Sequence, residues 1–101
     1  MKACCKEYLM EQFDDEDIAA EIYNEYVTSL GQKLAECEAA IEASEWVKLD
    51  RAAHAMKGNA LAAGDKEVAE CAIALRNAAK LQERDNAIEL VKNIKELSAQ
   101  L

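Results

Sequence analysis

The chain has 101 residues, enough for one hydrophobic core and too few for a core plus an elaborate enzyme cleft. With no proline, three glycines and an abundance of alanine, leucine, glutamate and lysine, it belongs to the all-α class. A formal charge of -8 excludes nucleic acid as the main partner, because phosphate binding needs a basic face, and no apolar run approaches the ~20 residues of a membrane span.

The segment Met1-Lys2-Ala3-Cys4-Cys5-Lys6-Glu7 reaches a charge before any useful apolar run, which predicts no signal peptide and a cytoplasmic protein. In that compartment Cys4, Cys5, Cys37 and Cys71 are expected as reduced thiols, and their spacing matches neither C-x-x-C nor a zinc-ligand pattern. Cys37 and Cys71 fall on apolar helical positions and read as small core residues; Cys4 and Cys5 have no assigned role.

Leu9 and Phe13, four apart, mark a short amphipathic helix from about Ala3 to Phe13. Asp14, Asp15, Glu16 and Asp17 then supply an N-cap and a negative first turn for a long helix. Its apolar stripe is Ile18, Ile22, Tyr26, Leu30, Leu34, Cys37 and Ile41, with Gly31 lying off it. Ala43-Ser44-Glu45 reads as a tight connection with Ser44 as the N-cap of a third helix, whose apolar set is Trp46, Leu49, Ala53, Met56, Ala60 and Ala63. Gly64 suits the C-cap of that helix and Asp65 opens a fourth, carrying Val68, Ala72, Leu75 and Ala79 to about Leu81. Gln82 to Asn86 forms the last turn, Asn86 with Glu89 reads as a capping box, and Ile88, Val91, Ile94, Leu97 and Leu101 make the final stripe. Four long helices on short loops predict an antiparallel up-and-down four-helix bundle over residues 13–101, with a short additional N-terminal helix in residues 1–12 laid across one end, all in a single domain.

One place departs from bundle building. Gly58 costs the third helix about 1 kcal/mol relative to alanine, and it follows Lys57 one turn beyond the only histidine, His54. On a helical wheel with Trp46 at zero, the core face centres near about 310°, whereas His54 falls at about 80°, Lys57 at about 20°, Gly58 at about 120° and Arg51 at about 140°. His54 is therefore expected to face solvent. Val47 and Leu61 share its face, about two turns before and two turns after it.

The first 45 residues hold twelve acidic and three basic side chains, whereas Trp46 to Lys66 holds four basic ones (Lys48, Arg51, Lys57, Lys66) and two acidic ones (Asp50, Asp65). A lone helical histidine is most often an ordinary surface residue, and H-x-x-K-G alone is a weak pattern. Weight comes from the coincidence of a unique histidine, lysine at i+3, glycine at i+4, an outward orientation and a helical frame. An exposed imidazole between apolar residues, with a flat spot beside it and a basic surround, suits docking of a protein with an acidic site.

These residues resemble the histidine-containing phosphotransfer (HPt) domain of multistep two-component phosphorelays. The match is His54, Lys57, Gly58 and Gly64 in the pattern His, two residues, Lys-Gly, five residues, Gly, together with the helix start Glu45-Trp46-Val47-Lys48-Leu49. With the helical layout it covers about Phe13 to Leu101. The family often has serine and another small residue after the glycine, where this chain has Asn59 and Ala60, so hydrogen bonds made there by the family are not carried over.

The resemblance implies that His54 accepts a phosphoryl group from the aspartyl phosphate of one response-regulator receiver domain and passes it to another, with phosphate on Nε2. Near neutrality an imidazole offers a ring nitrogen as nucleophile without a strong base. Lys57 would offset charge on the phosphoryl group, Gly58 would give clearance to the partner, and Val47, Arg51 and Leu61 would dock it. The chain shows no ATP site, metal site or cofactor of its own, so it reads as a carrier rather than an enzyme, with Mg²⁺ and the catalytic groups in the receiver. Expected partners are receiver domains and a hybrid sensor kinase, met by a monomer.

Three rivals stand beside this reading. The dimerisation and histidine-phosphotransfer domain of sensor kinases usually follows its histidine with an acidic residue and then a proline, whereas Ala55 follows His54 and the chain has no proline. A helical adaptor that binds receivers or other signalling proteins without carrying phosphate is the alternative function. A metal or redox role for Cys4 and Cys5 would require stoichiometric zinc.

Overall fold

The proline-free sequence folds as five helices with no strand, and the computed structural model describes all of residues 1–101. They are α1 (Ala3–Phe13), α2 (Glu16–Glu42), α3 (Trp46–Ala62), α4 (Lys66–Lys80) and α5 (Arg84–Ser98). No helix is long and apolar enough to cross a membrane. In the resulting bundle α2 packs on α3 and α5, α4 packs on the same two, and α1 lies on α2.

The turns show how the chain reverses without proline. Ser44 (φ 55°), Gly64 (φ 76°) and Gln82 (φ 53°) each adopt the left-handed conformation. The next residue's N–H then reaches back five positions: Glu45 to the Ala40 carbonyl (2.8 Å), Asp65 to that of Ala60 (2.8 Å) and Glu83 to that of Ala78 (2.9 Å). This is the Schellman closure three times over, satisfying helix-end carbonyls that would otherwise be orphaned. The expected caps at Ser44 and Asn86 are corrected by it. Ser44 is spent on the left-handed position, and its hydroxyl accepts from Arg84 Nη2 instead. Gln82 turns the chain early, so α5 begins at Arg84 with Glu83 before it, and Asn86 lies inside the helix donating to Glu83 Oε1 at 3.3 Å. Asp15 does cap α2, accepting from the N–H groups of Asp17 (2.9 Å) and Ile18 (3.1 Å).

The main core gathers Leu30, Leu34, Leu49, Met56, Val68, Leu75, Val91 and Ile94 with many alanines. Three residues of the expected apolar stripes are exposed instead, Phe13 at 46%, Ile18 at 42% and Ile88 at 49%, and Cys71, expected in the core, is half-buried against it. For Ile18 the reason is helical drift. Successive steps of four advance about 40° per step, so a stripe of fours that fits at Leu34 has rotated well away at Ile18. Ala19 and Tyr23 are buried there, joining Cys5 and Leu9 of α1 in a smaller cluster. On α5 the buried line is Ala87, Val91 and Ile94, which leaves Ile88 on the next face round.

The one fully buried charged side chain is Asp65. Its carboxylate accepts from Lys2 Nζ (2.9 Å), the Tyr26 hydroxyl (2.8 Å) and the Val68 N–H (3.4 Å). Lys2 also donates its backbone N–H to the Tyr23 hydroxyl at 3.0 Å. Burial raises the Tyr26 phenol well above its ordinary range, and the bond to Asp65 adds to the shift. For Lys2 burial works downward, but Asp65 and Glu67 outweigh it and hold the ammonium above its usual value. Among the thiols, burial pushes Cys5 and Cys37 up to about 12, while Cys4 is exposed.

Two outcomes follow from this packing. A Cβ at Gly64 would meet a positive φ and fall 2.6 Å from Tyr8 Cγ. Gly64→Ala should therefore lose about 2 kcal/mol or more in urea unfolding, and wild-type stability would refute the fit between α1 and this turn. With a disulfide-exchange reagent at pH 8, Cys4 should react in a fast phase, with Cys5 and Cys37 titrating only after denaturation.

Candidate functional site

Leu49, Ala52, Ala53, Met56 and Ala60 pull one side of α3 into the core. The opposite side is left to solvent, and His54, Arg51 and Gly58 are all exposed there. Val47 is 66% and Leu61 50% exposed, so apolar surface stands on the helix face on both sides of the imidazole. Lys57 is half-buried, turned from the open face towards the neighbouring α4. His54 makes no hydrogen bond or ion pair within the protein, leaving its ring nitrogens available to an incoming group.

Gly58 has no intramolecular explanation. A Cβ built there meets nothing within 4 Å, so the fold itself would accept a side chain. This contrasts with Gly64, where the backbone and Tyr8 both demand glycine. Gly31 is as open as Gly58, but it lies on α2 away from the histidine.

Ion pairing sharpens the charge around His54. Asp50 is bonded to Arg76 of α4 (2.8 Å), and Lys48 is paired with Glu45 (2.6 Å). Arg51, Lys57 and Lys66 have no ion-pair partner, so the uncompensated charge on α3 and at the start of α4 is positive, while unpaired Glu7 and Glu11 of α1 lie across the groove beside Leu61. Arg51 edges a groove between α2 and α3 of about 380 Å³, lined also by Lys33, Glu36, Glu45 and Lys48. Leu61 edges another of about 470 Å³, whose far wall is Cys4, Glu7, Tyr8 and Glu11 of α1.

Two supports of this face were not legible in the chain. Asn59 donates from Nδ2 to Ser29 Oγ at 2.8 Å, tying α3 to α2 on the side away from His54. The bond from Arg76 to Asp50 ties α3 to α4 one turn before the histidine. Both link distant positions, and a pattern read along one helix carries no signal for either. No group of three or more His, Cys, Asp and Glu side chains converges to hold a metal ion.

The arrangement is an exposed imidazole on a helix surface, with unpaired cations and apolar side chains beside it. It can receive a group carried in by another macromolecule. A family model described as Hpt domain matches residues 21–101, from the first turns of α2 through α5. Neither the curated proteins nor the solved structures compared give a match. The chain belongs to the Hpt domain family, and so to the helical modules of phosphotransfer in two-component signalling that interact with receiver domains of response regulators.

Proposed function

We propose that this protein is a phosphocarrier of a multistep phosphorelay, with His54 as the residue phosphorylated. The observation that carries the reading is the sole histidine standing on the open face of α3 beside a glycine that the fold does not need. An imidazole nitrogen, taken by family analogy as Nε2, attacks phosphorus of a receiver's aspartyl phosphate. The N–P bond forms as the acyl phosphate P–O bond breaks, the aspartate leaves as carboxylate, and a second receiver reverses the step. Lys57 lies one turn along from His54 and offsets charge on the phosphoryl oxygens. Val47, Arg51 and Leu61 supply docking contacts, and the in-line geometry and Mg²⁺ belong to the receiver.

The frame proposed for this surface is an antiparallel up-and-down bundle of α2 to α5 with α1 at one end, working as a cytoplasmic monomer. Cross-helix bonds support the antiparallel arrangement: Ser29 with Asn59, Asp50 with Arg76, and Glu38 with Lys95.

Mixing the protein with a panel of acetyl-phosphate-charged receiver domains should place an acid-labile, alkali-stable phosphate on wild type and none on His54→Gln. If no receiver labels the wild-type protein, while one or more bind it, the chain is instead an adaptor. Gly58→Ala separates folding from docking: it should raise stability by about 0.5–1 kcal/mol and yet slow transfer by about tenfold or more. Unchanged transfer kinetics would remove the clearance role.

A further inference from the structure

Resting on the carrier reading, we infer that the receiver-docking surface crosses from α3 onto α4, where Ile73 is its apolar contact and Lys66 and Lys80 are its basic rim. Ile73 is 46% exposed, an isoleucine left on the outside of a helix whose other large aliphatic residues, Val68 and Leu75, are fully buried. Its position relative to His54 follows from two fixed points. At one end of the seam Arg76 is bonded to Asp50 at 2.8 Å. At the other, Leu61 and Lys66 line the same groove.

Between those points the two helices run side by side. From Asp50 to His54 is about 6 Å along α3, and from Arg76 to Ile73 is about 4.5 Å along α4 in the same direction, so His54 and Ile73 stand at nearly one level. The residues that α3 and α4 bury are mainly small, Ala52, Ala53 and Ala60 on the one and Ala69, Ala72, Ala78 and Ala79 on the other. Small residues at a helix contact let the axes approach to about 8 Å, the near end of the usual range.

The rotation around α4 agrees. With Val68 at zero, Arg76, which reaches α3, falls at about 80°, while Lys80, Ile73 and Lys66 fall at about 120°, 140° and 160°. They form one stripe on the solvent side of Arg76. Lys66, Ile73 and Lys80 are spaced by seven residues, as are Val47, His54 and Leu61 on α3, so the two stripes lie alongside each other. Lys66 and Lys80 are exposed and make no ion pair. Glu70, also exposed and without an ion pair, lies one turn from Ile73 on the side away from α3, so the basic balance of this stripe comes from Lys66 and Lys80 together. In a chain of net charge -8, an exposed isoleucine between those two lysines fits a partner with carboxylates around its reactive aspartate and apolar residues at the rim of that site. A receiver seated on His54 would meet it, which makes Ile73 a determinant of which receiver is accepted.

The test uses the full chain and an isolated receiver domain, charged with acetyl phosphate, that phosphorylates wild type. Ile73→Glu should raise the receiver concentration for half-maximal transfer about tenfold, with the maximal rate within about twofold of wild type, since a docking contact acts before chemistry. Ile88→Glu is the control. Ile88 is 49% exposed on α5, which meets α3 only where Arg84 lies over the Trp46 ring, about two turns before His54, and its substitution should leave the concentration dependence unchanged. Ile73→Ala, which adds no charge, should give a smaller shift of the same kind, and amide shifts on adding receiver to wild type should include residues 66–80. Wild-type kinetics for Ile73→Glu, or amide shifts that stop at α3, would overturn the extension onto α4 and leave His54 as carrier. Failure of every receiver to charge wild type would overturn the carrier reading and this inference with it.

Discussion

A carboxylate with no access to water has to be paired, and Asp65 is such a group. Its position makes the pairing organise the molecule. It follows Gly64 in the turn between α3 and α4, caps α4 through the Val68 N–H, and draws Lys2 and the Tyr26 hydroxyl to the same place. Three parts of the chain separated by many residues are thereby joined at one end of the bundle. With that turn held, α3 and α4 are aligned from Asp65 down to the bond between Asp50 and Arg76, and His54 lies on the stretch between. Replacing such a buried pair with apolar residues can cost little, whereas removing one member costs several kcal/mol, so its effect is to specify this alignment.

The three glycines show how one residue type answers to different constraints. Gly64 is required by the backbone and by Tyr8, so its role is internal to the fold. Gly58 and Gly31 sit in helices with open space over their α-carbons, where glycine only weakens the helix. The weakness at Gly58 coincides with the exposed histidine, which the proposed clearance for a partner would explain, whereas Gly31 has no such neighbour.

Charge is distributed to the same end. The acidic excess is carried by the first half of the chain, while pairing removes Asp50 and Lys48 from the balance around α3. Arg51, Lys57, Lys66 and Lys80 stay uncompensated on α3 and α4. A positive island in a negative molecule favours approach of an acidic site to that face and disfavours it elsewhere.

The sequence by itself determined the helices, an N-cap within Asp14 to Asp17, the Asp65 cap, the Gly64 stop and the outward direction of His54. Each depends on residues within about two turns of one another, where helical geometry is regular. It misplaced Ile18, because a stripe counted in steps of four drifts around the helix, and Ile88, because burial on α5 depends on which face a neighbour covers. It likewise missed Ser44 and Gln82 as left-handed turn residues, since neither is the glycine that normally marks that position. Only the tertiary structure decided that Asp65 is buried against Lys2 and Tyr26, that Arg76 cancels Asp50, and that Ile73 stands level with His54. These depend on how separate helices are set against each other, a relation that no periodicity along one helix contains.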